Sequence, residues 1–139
     1  MILGVDPGER RVGVAVADEK TRFARPLEVI DAAVTDPVAR IAELVAELPA
    51  TRVVVGRPVG LSGREGPAVA AQQELVAALR QRLAVAVDEH DERLTTVVAE
   101  AGLRAAGGRR AQRAALKDAV AAQVMLQGYL DSGRGGAAR

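Results

Sequence analysis

Asp6, Asp91, Glu92 and Asp118 are the residues of this chain best placed for chemistry. Asp6 ends an apolar run, 2–6, immediately before Pro7-Gly8. That puts it at the carboxyl end of a strand, where open α/β sheets take their ligands, although a residue that merely starts a turn fits there too. Asp91 and Glu92 follow the run 84–90 and precede a helical pattern. Strand alternation sends the two to opposite sides, so one faces a site and the other starts the helix or meets solvent. Asp118 lies in register with Ala122, Met125 and Tyr129 at i+4, i+7 and i+11, away from the polar stripe of Gln123, Gln127 and Asp131. A carboxylate heading an apolar stripe is costly unless a helix N-terminus or a metal ion satisfies it. Carboxylates near strand ends and a helix start fit a two-metal site. There, paired ions about 4 Å apart activate a water and stabilise the leaving oxygen of a phosphodiester.

Composition narrows the alternatives. The chain has no cysteine and one histidine, His90, which removes thiolate and histidine-rich metal sites and any cysteine nucleophile. Hydrolytic chemistry must rest on carboxylates, which suit hard ions, Mg2+ or Mn2+. Net charge is only +1, yet Arg104, Arg109, Arg110, Arg113 and Lys117 follow one another with no acidic residue from 104 to 117. Such a stretch is either a phosphate-contacting surface or a solvated loop. With Phe23 and Tyr129 the only aromatics, a module that stacks bases on rings is excluded, so a nucleic acid would be gripped by backbone and shape. Asp6 interrupts the apolar start, and no apolar run approaches the roughly 20 residues of a membrane span. A cytoplasmic protein with no membrane partner is expected.

The elements that must position these residues are legible from periodicity. Apolar runs at 2–6, 12–17 and 22–30, separated by polar turns, predict an antiparallel meander. Asp36-Pro37 then starts a helix carrying Ile41, Leu44, Val45 and Leu48 at helical spacing, closed by Pro49. A buried-type strand follows at 52–56, a glycine-rich loop at 57–66, a helix at 67–83, a strand at 84–90 and a helix at 94–106. Gly107-Gly108 opens the basic loop, and the last helix is expected over 117–130. The pattern predicts an α/β fold, a five-stranded mixed sheet with three antiparallel N-terminal strands, then parallel strands, flanked by helices. One domain is expected over 1–130, with 131–139, rich in Gly, Ala and Arg, a disordered tail.

Four motifs in order resemble the bacterial YqgF (RuvX) family. They are Gly4-Val5-Asp6-Pro7-Gly8 with Arg11-Val12-Gly13-Val14-Ala15, then Val54-Val55-Gly56-Arg57-Pro58 with Gly63, then Asp91-Glu92-Arg93-Leu94-Thr95-Thr96, and Asp118-Ala119-Val120-Ala121-Ala122 continuing to Leu126-Gln127-Gly128-Tyr129-Leu130. The resemblance covers about residues 2–130. It implies a ribonuclease-H-like fold and an acidic site at Asp6, Glu92 and Asp118, with Asp91 a fourth member. It also implies that Arg11 and Arg93 organise or contact that site. Arg57 stands where the family usually has leucine, and Val59-Gly60-Leu61-Ser62 lacks the Asn and Asp often found there, while Arg57 and Arg64 offer phosphate contacts of their own.

The carboxylates point to a metal-dependent nuclease, and the family resemblance implies that it processes the 5′ end of pre-16S rRNA. The runner-up is a Holliday-junction resolvase, which would need a two-fold dimer to cut two strands symmetrically, so a monomer or a homodimer is left open. Asp6-Pro7-Gly8 on a first strand also resembles the phosphate loop of actin-like kinases and ATPases, but those need two such domains, and no Gly-x-x-x-x-Gly-Lys-Ser/Thr loop is present. A non-catalytic nucleic-acid-binding factor, its acidic residues structural, is the remaining alternative.

Overall fold

The structure, a computed structural model, describes residues 1–58, 66–91 and 110–132, with side chains from Lys117 onward in the last segment. Five strands form one mixed sheet in the order β3-β2-β1-β4-β5. β1 (Ile2–Pro7), β2 (Arg11–Ala17) and β3 (Ala24–Asp31) make the antiparallel meander. β4 (Arg52–Arg57) pairs parallel to β1, and β5 (Ala86–Asp91) parallel to β4. The expected sheet is the one observed. β1 is central because its apolar residues leave no face for water, whereas edge strand β5 carries Asp88, Glu89, His90 and Asp91.

The two faces of the sheet differ in a way that begins in the sequence. Leu3, Val5, Val12, Val14, Val16, Val53 and Val55 point to one face, where α1 (Pro37–Glu47) and α2 (Pro67–Arg82) cover them with Ile41, Leu44, Val76 and Leu79. Ile2, Gly4, Gly13, Ala15, Ala17 and Val54 alternate to the other face, under a single long helix, α3 (Arg110–Asp131). Small residues there let α3 sit close to the sheet with Ala122, Met125, Leu126, Tyr129 and Leu130. An ideal Cβ on Gly4 would lie 2.8 Å from Leu126 Cβ. Gly4→Ala is therefore expected to cost about 1–3 kcal/mol, read as a lower urea midpoint, because the core must give way around one added methyl.

Local signals start and close the helices. Asp36 caps α1, its carboxylate accepting from Val38 N at 3.1 Å, with Pro37 in the first turn. Arg40 of α1 clamps Glu28 of edge strand β3 through two bonds of 2.9 and 2.8 Å. The polar stripe on α3 is a docking seam. Gln127 accepts from Ala24 N at 2.9 Å and donates to Arg22 O at 3.0 Å, and Gln123 donates to Ala24 O at 3.1 Å. An amide carries both a donor and an acceptor, so it satisfies main-chain groups where β3 begins.

The last helix is longer than expected. It begins at Arg110, not Lys117, so Arg110 and Arg113 belong to a helix and not to a basic loop. The reason is that 110–127 contains neither glycine nor proline and is rich in alanine, so the helix extends back almost to Gly107-Gly108. The expected helix at 94–106, the loop at 59–65 and the tail from 133 lie outside the described residues. Among the described residues no helix is long and apolar enough to cross a membrane.

Candidate active site

Asp6 follows Ile2 and Gly4 along β1, so alternation places it on the α3 face, at the strand's carboxyl end. Its register partner on β2 is Gly13. A Cβ built on Gly13 would lie 1.9 Å from the main-chain oxygen of Asp118 and 2.5 Å from its carbonyl carbon. Only a residue without a side chain admits the helix there, and the contact brings Asp118 of α3 beside the end of β1. A glycine in a strand interior often marks such a close approach.

Arg11, two residues before Gly13 on the same face, places its Nε 3.0 Å from Asp118 Oδ2. The approach is an ion pair without hydrogen-bond alignment, for the same oxygen is buried and has no hydrogen-bond donor. Burial pushes the Asp118 carboxyl above its ordinary range, and the charges of Arg11 and Lys117 offset this only in part. The helix-cap explanation for Asp118 also falls away. Because α3 starts at Arg110, Asp118 lies beyond its second turn, past the reach of the free N–H groups. What remains is a carboxylate held against the sheet near the end of β1, ion-paired with Arg11 but with no aligned hydrogen-bond donor on its buried Oδ2.

The donor chemistry suits a hard divalent ion: carboxylate oxygens and no sulfur or imidazole. Among the described residues these acids form no group of three. Asp6 and Asp118 are brought near each other through Gly13, and Glu92 lies outside the described residues. Asp91 ends β5 opposite Arg57, and alternation puts both on the α1–α2 face with Val87, Glu89, Val53 and Val55. The structure thus brings Asp6, Arg11 and Asp118 together and leaves Asp91 and Arg57 across the sheet. Arg110, Arg113 and Lys117 follow at i, i+3 and i+7 on α3, leading up to Asp118. Arg64, Arg93, Arg104 and Arg109 lie outside the described residues. His90 lies on the α3 face of β5 as the register partner of Gly56, its ring edge-on to Tyr129 at 5.9 Å and 88°.

A sequence model of the RuvX family, described as Holliday junction resolvase, matches residues 1–132. The chain belongs to the RuvX family. A relative from Chloroflexus aggregans, named "Putative pre-16S rRNA nuclease", is 48% identical over 134 residues, covering 96% of this chain and 94% of that protein. Relatives of the same name from Anaeromyxobacter dehalogenans (42% over 130 residues, 93% and 95% covered) and Mycobacterium sp. strain KMS (44% over 135 residues, 95% and 80% covered) agree. Among solved structures, Thermus thermophilus RuvC superposes with a TM-score of 0.57 in complex with a Holliday junction substrate, at 19% identity and with 95% of both chains covered. A second structure of Thermus thermophilus RuvC gives 0.55 at 21% identity, with 95% of this chain and 96% of that one covered. The likeness shows the fold, which is ribonuclease-H-like.

Two features of this RuvX chain were not singled out by spacing. One is Gly13, whose signal was its place inside a strand of valines and alanines. The other is a polar cluster on the α3 face in which Asp88 accepts from both Arg52 and Tyr129. Burial raises the Tyr129 hydroxyl above its usual range, and the Asp88 carboxylate adds to the effect, so the phenol stays protonated as a donor. Nothing in the local sequence links residues 52, 88 and 129, which only the packing of α3 over β4 and β5 unites.

Proposed function

We propose that this RuvX-family chain is a divalent-metal-dependent nuclease that hydrolyses phosphodiester bonds and trims the 5′ end of pre-16S rRNA in the cytoplasm. The observation that supports the reading is Asp118: its main chain is lodged against Gly13, the register partner of Asp6, and its buried Oδ2 accepts no aligned hydrogen bond although it is ion-paired with Arg11. Asp6, Glu92 and Asp118 would hold the ions, Mg2+ or Mn2+, while Asp91, on the other face of the sheet, is left out of the ligand set. When bound, such ions supply Lewis acidity and a nucleophilic water at neutral pH. The protein's own part is positional. The β1–β2 pairing fixes Asp6, the Gly13 contact fixes Asp118, and Arg11 holds the Asp118 carboxylate from one side while its half-exposed guanidinium meets the substrate phosphate. The relatives named for pre-16S rRNA support the choice of substrate.

Phosphate contacts would come from Arg11, Arg64 and Arg93 and from the stretch Arg104, Arg109, Arg110, Arg113 and Lys117, whereas Arg57, across the sheet from Asp6, is left out of the surface. Binding should therefore weaken steeply with salt, the logarithm of the affinity falling by about 0.7 per phosphate contact for each logarithmic unit of salt on single-stranded RNA. Fluorescence anisotropy in a salt series measures this, and a flat dependence would contradict a phosphate-gripping surface.

The family's description as Holliday junction resolvase favours a second reading, cleavage of branched DNA by a homodimer. The deciding experiment incubates the wild-type protein with labelled precursor 16S rRNA and with a four-way DNA junction, each with Mg2+, Mn2+ or EDTA. Cleavage at the rRNA 5′ end, abolished by EDTA, is expected. Cutting of the junction alone would select the second reading, and no cutting of either by folded protein would remove the enzyme and leave a binding factor.

A further inference from the structure

Two arginine–carboxylate pairs in this molecule are built differently. Arg40 grips Glu28 with a fork, Nε at 2.9 Å from one carboxylate oxygen and Nη2 at 2.8 Å from the other. Arg11 comes as close to Asp118, with Nε 3.0 Å from Oδ2, but its N–H does not point at that oxygen, which accepts no hydrogen bond. The strength and the specificity of such pairs come from the aligned fork. The first pair is therefore a fastening. The second is a charge set beside a charge.

Exposure does not account for the difference, since the side chains of Glu28 and Asp118 are both 29% exposed. Asp118 is as sheltered as Glu28 and gains less from its partner. Burial still pushes its carboxyl above the ordinary range, and the charges of Arg11 and Lys117 offset this only in part. The Asp118 main chain cannot shift to improve the contact, because it is seated on Gly13, where a Cβ would lie 1.9 Å from its oxygen. Arg11, by contrast, starts β2 with a long, half-exposed side chain, and among the described residues no hydrogen bond holds its guanidinium. One partner is fixed and the other is able to swing.

We propose that Arg11 is a stand-in for the divalent ion: in the metal-free protein its guanidinium occupies the cation's place at Asp118 Oδ2, and on metal binding it yields that oxygen and turns to a phosphate of the strand. The inference rests on the metal-dependent nuclease reading and adds an order of events to it. The two roles of Arg11, holding Asp118 and meeting phosphate, are taken in turn. Arginine stays charged at any working pH, so a guanidinium released from Asp118 favours another anion, and its planar donors match a phosphodiester. Linkage makes the effect reciprocal. Ion uptake at Asp118 favours phosphate at Arg11, and phosphate at Arg11 favours ion uptake by the same factor. The site thereby grips a strand firmly only when it is loaded.

The exchange is read without cleavage, from the Nε–H resonance of Arg11 in nitrogen-labelled wild type, assigned by its absence in Arg11→Gln. Saturating Mg2+ should move this peak and speed its exchange with water. Dimethyl phosphate, a small diester probe, should then shift it more in the Mg2+-loaded protein than in the metal-free one. Calorimetry supplies a second arm: Arg11→Gln should bind Mg2+ about 5-fold or more tighter than wild type, the lower end of ordinary couplings between linked sites. Charge repulsion alone would also tighten Mg2+ binding but would leave the Arg11 contact in place. A peak whose water exchange is unchanged by bound Mg2+ therefore overturns the proposal. Weaker Mg2+ binding by Arg11→Gln overturns it too, for Arg11 would then be a fixed brace, and so does a dimethyl phosphate response that is the same with and without Mg2+. In these cases the metal site, and the nuclease with it, still stands. No Mg2+ uptake by either protein would instead remove the metal-dependent reading and the exchange together.

Discussion

Asp118→Asn is expected to lose cleavage by at least about 10²-fold while raising the melting temperature of the metal-free protein by a few degrees. The two effects have one cause. Burial raises the Asp118 carboxyl above its ordinary value despite the opposing charges of Arg11 and Lys117, so in the folded state the charged form is the costly one. A group whose folded pKa is raised favours folding fully only below its unfolded value, near 3.8, and loses that contribution as pH rises through the folded value. The amide has no charge to desolvate. The melting temperatures of wild type and Asp118→Asn should therefore meet at acidic pH, below 3.8, and separate in favour of the variant toward neutrality. Added Mn2+ should narrow the neutral gap by stabilising wild type and not the variant. Scanning calorimetry at several pH values, with and without metal, measures all of this beside the cleavage assay. A variant that melts below wild type at every pH, or that cuts at the wild-type rate, would make Asp118 structural. A stabilising loss of function is the expected signature of a carboxylate kept at a site against the interest of the fold.

Gly13→Ala should be the most damaging single methyl in the molecule. Its Cβ would lie 1.9 Å from the Asp118 carbonyl oxygen and 3.3 Å from Ala119 N, and both obstacles are main chain, which cannot rotate aside. Relief requires α3 to lift off β2, and with it Ala122, Met125, Leu126 and Tyr129 would leave their places against Ile2, Ala15 and Val54. A cost of about 3 kcal/mol or more is expected, at the upper end for overpacking, read in urea denaturation. At Gly4 the neighbour is the Leu126 side chain, which has some freedom, so Gly4→Ala should be the milder of the two. Any Gly13→Ala protein that still folds should cut poorly, because Asp118 would be displaced from Asp6, and a misplacement of about 1 Å can cost 10²-fold. Wild-type stability in Gly13→Ala would show that the helix does not rest on this strand.

Much of the architecture was legible in residue patterning. Period-two alternation in Arg11-Val12-Gly13-Val14-Ala15-Val16-Ala17 separates a valine face from a glycine–alanine face, and each receives its own helices. Asp36-Pro37 caps and starts α1 where expected, and the five strands fall close to their predicted positions. The start of α3 was misplaced because Gly107-Gly108 and the run of basic residues read as a loop, although arginine and alanine are both good helix formers. That error made a helix cap plausible for Asp118, and the observed start removes it.

The sequence by itself determined the chemistry on offer and the alternation of the strands: carboxylates without cysteine, one histidine, and acidic residues at strand ends. Both are local properties, set by residue type and by a backbone whose side chains reverse direction at every strand residue. Only the tertiary structure decided which of these groups meet. Asp6 and Asp118 are over a hundred residues apart in sequence and join through Gly13, whereas Asp91 faces the other side of the sheet. Gln72 was one more helical glutamine until the approach of β5 buried it beside Glu89. Such meetings depend on which helix packs on which face and how closely, and packing is fixed by long-range contacts that no local window contains.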